Sequence, residues 1–174
     1  MEETTSEVTL RYPNREKAES KASKFAIVIV LLISAALIAI ITAGGWAKLE
    51  GAQIVSVFYV VVYLVMAYYV SRWNRGVLPL AAALAVIFTT FAVVAAPAWF
   101  ARDKAGLVDP ALPPSVLGML TIALIVVQLL LIFVSMRGFA QQWQVEIEVH
   151  DGYEIDSTGK RTETEKSSVA GGWA

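Results

Sequence analysis

No cysteine occurs anywhere in the chain, and histidine occurs once, at His150. The first absence excludes disulfides, thiolate metal sites, iron–sulfur ligation and covalent haem attachment through C-x-x-C-H. The second excludes bis-histidine haem ligation by this chain, and His150 has no companion ligand near it in sequence. No cofactor and no metal is therefore expected. Charge is also scarce: 17% of the 174 residues are Asp, Glu, Lys or Arg, against about 25% in an ordinary soluble domain. The net charge of −1 gives no basic field that would recruit nucleic acid. Phosphate loops of the G-x-x-x-x-G-K-[ST] kind, H-E-x-x-H metal helices and G-x-S-x-G nucleophile elbows are missing as well. The nearest thing to paired carboxylates is Asp103 with Asp109, and Arg102 and Lys104 beside them point to ordinary surface pairing. An enzyme is not expected.

What the chain has in abundance is apolar residues, 57% of the total, with a mean hydropathy of +0.61. They are gathered into gaps between charges. Lys24 to Lys48 leaves 23 uncharged residues, Glu50 to Arg72 leaves 21, Arg75 to Arg102 leaves 26 and Asp109 to Arg137 leaves 27. About 20 apolar residues in a helix cross about 30 Å of hydrocarbon, and a helix satisfies its own backbone hydrogen bonds there. The gaps predict an all-α membrane protein with four transmembrane helices, at about 25–47, 52–71, 77–100 and 114–136. The transmembrane domain is then 25–137, preceded by a partly helical leader at 1–24 and followed by an acidic tail at 138–174. A cleaved signal peptide fits poorly. The leader is 24 residues long with five acidic residues, and the first apolar run exceeds the usual core of about 7–15 residues.

Short connections at Lys48-Leu49-Glu50 and Arg72-Trp73-Asn74-Arg75 demand tight hairpins, which predicts an antiparallel four-helix bundle. Its orientation follows from cations near the membrane. Arg11, Arg15, Lys17, Lys21, Lys24, Arg72, Arg75 and Arg137 fall on one side, and Lys48, Arg102 and Lys104 on the other. Both termini are expected in the cytoplasm, and the location expected is the plasma membrane, of bacterial type. Trp46, Trp73, Trp99, Trp143, Tyr68 and Tyr69 stand where interfacial belts form. Pro97 is expected to kink or end the third helix.

Two alanine stripes, Ala35-Ala39-Ala43-Ala47 and Ala81-Ala85-Thr89-Ala92-Ala96, are candidate packing seams, since small residues let helices approach in lipid. In the fourth span Gly118, Thr121, Ile125, Gln128, Ile132 and Ser135 keep a three-four spacing. Ser56, Tyr59, Tyr63 and Ala67 share a face of the second. Matched by depth, Ser34, Tyr63, Thr89 and Gln128 predict a small intramembrane polar cluster. It reads as helix-to-helix glue before it reads as a ligand site, because no carboxylate, lysine or histidine joins it.

The leader stretch from Asn14 to Lys21 is a good helix former and is expected to extend the first span. After the fourth span, Trp143, Val145, Ile147 and Val149 alternate with polar residues. With the turn dipeptide Asp151-Gly152 they predict a short β-hairpin over 143–155, whose apolar face is a candidate docking strip for a partner. Beyond Ser157 the Ser, Thr, Gly, Glu and Lys content predicts disorder. From Gly138 the tail carries seven acidic and three basic residues.

Two functions remain. The first is a non-catalytic accessory or assembly subunit of a larger membrane complex, with a protein partner or a second copy beside it in the bilayer. The second is a small oligomeric transporter or channel for a neutral solute, lined by the polar cluster. Ion-coupled transport is disfavoured, since it ordinarily needs an ionisable residue within the membrane.

Overall fold

A computed structural model describes residues 9–49, 51–102, 110–150, 153–155 and 158–163. The outer-loop carboxylates Asp103 and Asp109, the Asp151-Gly152 turn and the side chain of His150 lie outside the described residues.

Four helices in it are long and apolar enough to cross a membrane. The leader folds first as a single turn, α1 (Pro13–Glu16), and then α2 begins at Ala18 and runs to Gly45. The leader is thus helical in two pieces, broken where Lys17 is extended at ψ 134°. A 3-10 turn over Trp46–Lys48 and a left-handed Gly51, φ 96°, reverse the chain into α3 (Ala52–Ser71). At the other end of α3 the amide of Trp73 donates to Val70 O at 2.9 Å and that of Asn74 to Tyr69 O at 3.1 Å. These are the paired bonds of a Schellman stop, with Trp73 at φ 65° in the position where glycine is usual. The left-handed conformation costs about 1–2 kcal/mol for a residue with a Cβ. The Trp73 ring offsets that cost by packing edge-on against Trp143, centroids 5.4 Å apart, with the Lys24 ammonium 4.2 Å over its face.

The third apolar gap forms α4 (Val77–Ala101) and the fourth forms α5 (Pro114–Ala140), which starts on the Pro113-Pro114 pair. Pro97 does not end α4, which continues four residues past it. Its ring deprives the Val93 carbonyl of its donor, a loss that membrane-spanning helices tolerate.

The helices pack around Ile27, Leu31, Ile38, Leu78, Leu117, Leu124 and Leu131, none more than 2% exposed. Contact is extensive between α4 and α5 and between α2 and both α3 and α5, whereas α3 and α4 touch sparingly. The seam on α4 is the alanine stripe: Ala81, Ala85, Ala92 and Ala96 are buried and Thr89 half-buried. The stripe on α2 is not a seam, because only Ala35 is buried while Ala39, Ala43 and Ala47 are exposed. A spacing of four advances about 40° per step on a helix of 3.6 residues per turn, so this stripe spirals off the contact face. The α4 stripe includes a step of three, which brings it back.

At the end of the molecule where α3 and α4 are joined, four short strands form one antiparallel sheet in the order β1-β2-β3-β4. They are β1 (Thr9–Arg11), β2 (Ile147–His150), β3 (Tyr153–Ile155) and β4 (Arg161–Glu163). The register pairs Leu10 with Glu148, Val149 with Glu154, and Glu154 with Thr162. Two expectations change here. The strand starts at Ile147 rather than Trp143, because Trp143 turns inward under the helices. Part of the stretch beyond Ser157 is ordered as β4, which finds an edge to pair with on the hairpin.

Candidate functional site

Of the four residues expected to form a polar cluster, Ser34, Tyr63 and Gln128 are fully enclosed, each 0% exposed. They sit on α2, α3 and α5, placed inward by faces that repeat every three or four residues. The Tyr63 hydroxyl donates to Gln128 Oε1 at 3.2 Å, which ties α3 to α5 across the middle of the fold. Thr89 does not join them: its hydroxyl donates to Ala85 O at 2.7 Å, within α4. A half-buried threonine satisfies itself against the preceding turn when no neighbouring helix offers an acceptor. Three enclosed atoms, Ser34 Oγ, Gln128 Nε2 and Ser135 Oγ, have no hydrogen-bond partner among the described residues. The Tyr59 ring stands edge-on to Tyr63 at 5.7 Å, and its hydroxyl donates to Leu84 O at 3.4 Å, the point where α3 meets α4.

The strip expected to dock a partner is divided. Trp143 is 0% exposed, and its indole N–H donates to Gln141 Oε1 at 3.0 Å. It fills a hollow at Gly138, where an added Cβ would come within 3.3 Å of its ring and 2.6 Å of Ile27 Cδ1. Trp143 is consumed by its own chain and is not available to a partner. Val145, Ile147 and Val149 are half-buried, and the strand that pairs with β2 on one side is β1 of the same chain.

Leader residues hold this arrangement, among them Arg15, which sequence reading counted toward orientation. Arg15 Nε donates to Trp143 O at 2.9 Å, and its guanidinium lies 3.8 Å over the Tyr12 ring. Asn14 Nδ2 donates to the carbonyl of Gln142 at 3.0 Å, the residue that ends α5 at φ 48°. Gln141 Nε2 donates to Ser23 Oγ at 2.9 Å, and Tyr12 donates to Glu146 at 3.0 Å. That last bond, from the phenol hydroxyl to the carboxylate, raises the Tyr12 pKa above its ordinary value. Arg11 pairs with Glu16 at 2.8 Å, which lowers the Glu16 pKa and raises that of Arg11. Cations also cap two helix C-termini at this end, where the dipole favours them. Lys24 Nζ donates to Ser71 O at 3.4 Å, and Arg75 Nε to Phe139 O at 2.8 Å. The positive charge expected to set orientation thus also closes the ends of α3 and α5.

A cavity of about 670 Å³ opens at the opposite end of the helices, between α3 and α4. Neither Ser34, Tyr63, Thr89 nor Gln128 lines it. Among the described residues there is no group of three or more His, Cys, Asp or Glu placed to hold a metal ion.

Comparison with protein-family models, with curated proteins and with solved structures finds no match.

Proposed function

We propose that this chain is a non-catalytic accessory or assembly subunit of a larger membrane complex. It would lie in a bacterial plasma membrane as an antiparallel four-helix bundle with both termini in the cytoplasm. The observation that carries this reading is the enclosure of the Tyr63–Gln128 bond: its groups are 0% exposed and the cavity between α3 and α4 does not reach them. A polar pair closed on itself works as a tie between helices, worth about 0.6–2 kcal/mol in lipid. Orientation rests on the eight cations at the sheet-bearing end against three at the other. At the cytoplasmic end the sheet would present its outer surface, with Leu10 55% exposed, to the neighbouring subunit. The test is purification of the tagged chain in a gentle detergent, with native sizing and identification of what accompanies it. A stoichiometric set of other chains is expected, and a lone monomer or a ring of identical copies would overturn the subunit reading.

The second reading, passage of a neutral solute, draws on Ser34 Oγ, Gln128 Nε2 and Ser135 Oγ, three enclosed atoms without a partner among the described residues. Unpaired buried polar groups are expensive and ask for water or a ligand. Solute flux in vesicles that falls with both Gln128→Leu and Tyr63→Phe would favour this reading over the first.

A further inference from the structure

The cavity between α3 and α4 has a shape and chemistry of its own. The two helices are tied at the sheet-bearing end by the 72–76 turn. They last meet where Tyr59 reaches the Leu84 carbonyl and where its ring lies against Phe88, centroids 4.6 Å apart. Beyond that contact they part, and alanines keep the gap open, with Ala52 on α3 and Ala92, Ala95 and Ala98 on α4 along its walls. The volume of about 670 Å³ falls within the roughly 300–1,000 Å³ usual for a ligand site.

Its wall is almost wholly apolar, and of its four hydroxyls three are committed to their own helices, leaving only Ser56 without a hydrogen bond among the described residues. Thr42 donates to Ile38 O at 2.7 Å, Thr121 to Leu117 O at 2.7 Å and Thr90 to Val86 O at 3.1 Å. An occupant would therefore be apolar along its length. Along α4 the wall runs from Phe88 to Trp99, which is about 16 Å at 1.5 Å per residue. That is half of the roughly 30 Å hydrocarbon core, the depth of one leaflet. A partner's transmembrane helix would need a groove the full height of the bilayer, and the Tyr59–Leu84 contact blocks it halfway.

A cation stands beside this wall, at its end remote from the sheet. Arg102 ends α4 with its guanidinium 5.7 Å from the centroid of Trp99, itself a wall residue. Among the described residues its side chain makes one hydrogen bond, to the Lys48 carbonyl at 3.2 Å, of the five N–H donors a guanidinium carries. Planar N–H pairs match phosphate oxygens.

We infer that this cleft holds one acyl chain of a phospholipid from the leaflet remote from the sheet, with the lipid phosphate on Arg102. The cleft is a fixed site, unlike the lipid shell around the exposed faces of the helices. The test is native mass spectrometry of the full chain after exhaustive detergent exchange, with the retained lipid extracted and weighed against protein. Wild type is expected to keep one phospholipid per chain. Ala95→Phe, which fills the cleft, should lower retention at least tenfold, and Arg102→Ala should lower it several-fold with the cleft intact. Ala39→Phe, on an exposed face of α2, should retain lipid as wild type does. Equal retention by all four chains means unspecific shell lipid and overturns the inference. So does a photo-cross-link from position 88, half-buried on the cleft wall, to another protein chain in native membranes. If Ala95→Phe fails to fold, the Arg102→Ala result decides.

Discussion

Replacing Gln128 and Tyr63 separately and together gives the sharpest energetic reading of the helix core. Gln128→Leu leaves the enclosed Tyr63 hydroxyl without its acceptor, a loss of about 1–3 kcal/mol. It also removes Nε2, an enclosed donor pair with no partner among the described residues, whose burial costs about 1–3 kcal/mol. The two effects oppose each other, so the single variant should lie within about 1 kcal/mol of wild type. Tyr63→Phe has no such compensation. It leaves both ends of the Gln128 amide unpaired and should destabilise by about 1–2 kcal/mol. The double variant deletes every member of the pair and should be at least as stable as wild type, the behaviour of a buried polar pair replaced by apolar groups of similar shape. The assay is reversible unfolding in mixed micelles, followed by tryptophan fluorescence, with the coupling taken from the double-mutant cycle. A loss of more than about 2 kcal/mol for Gln128→Leu alone would refute the reasoning, because Nε2 would then have a partner in the membrane.

Other outcomes follow from the sheet-bearing end. Trp143→Ala should cost about 3–5 kcal/mol, as for other buried large aromatics, and should expose residues 143–163 to protease while the four helices stay intact. The chain has no cysteine, so single cysteines at positions 48 and 74 can be labelled cleanly in intact cells. An impermeant thiol reagent should reach position 48 and not position 74; the reverse pattern would invert the topology. A spin label on Leu10→Cys should report a β1 that is held at neutral pH and loosens at both extremes. Glu16, lowered by Arg11, contributes above the ordinary carboxylate value of 4.5 and loses its contribution as pH falls through its own lower value. Tyr12, raised by Glu146, contributes below the ordinary 10.0 and loses its contribution as pH rises through its own higher value. Label mobility that changes between those two limits would contradict the assignment.

The helices were legible in the sequence because lipid imposes one rule on every residue of a span, and charges mark where the rule stops. The inward face of α5 was legible too, since Thr121, Gln128 and Ser135 recur every seven residues, which stays nearly in phase with the helix; on α3 Tyr59, Tyr63 and Ala67 are buried as well, although their spacing of four drifts about 40° per step. The alanines of α2 misled because a strict spacing of four drifts out of phase. Trp143 misled for a different reason. Its place in a period-two pattern says nothing of the hollow that Gly138 leaves beside Trp73, which exists only once three helices are assembled. Strand β1 was invisible for want of length: Thr9–Arg11 is three residues, and its partner, Ile147–His150, lies far away in the chain. The cleft between α3 and α4 likewise depends on where two helices diverge. The alanines that line it look the same in sequence as those that close a seam.

The subunit reading is tested most directly at the exposed surface of the sheet, in the native membrane. A photo-cross-linking residue at Leu10 should capture a single, different protein chain in high yield, and the adduct should disappear when residues 144–156 are deleted. Capture of identical copies alone, or of no protein at all, would contradict the account.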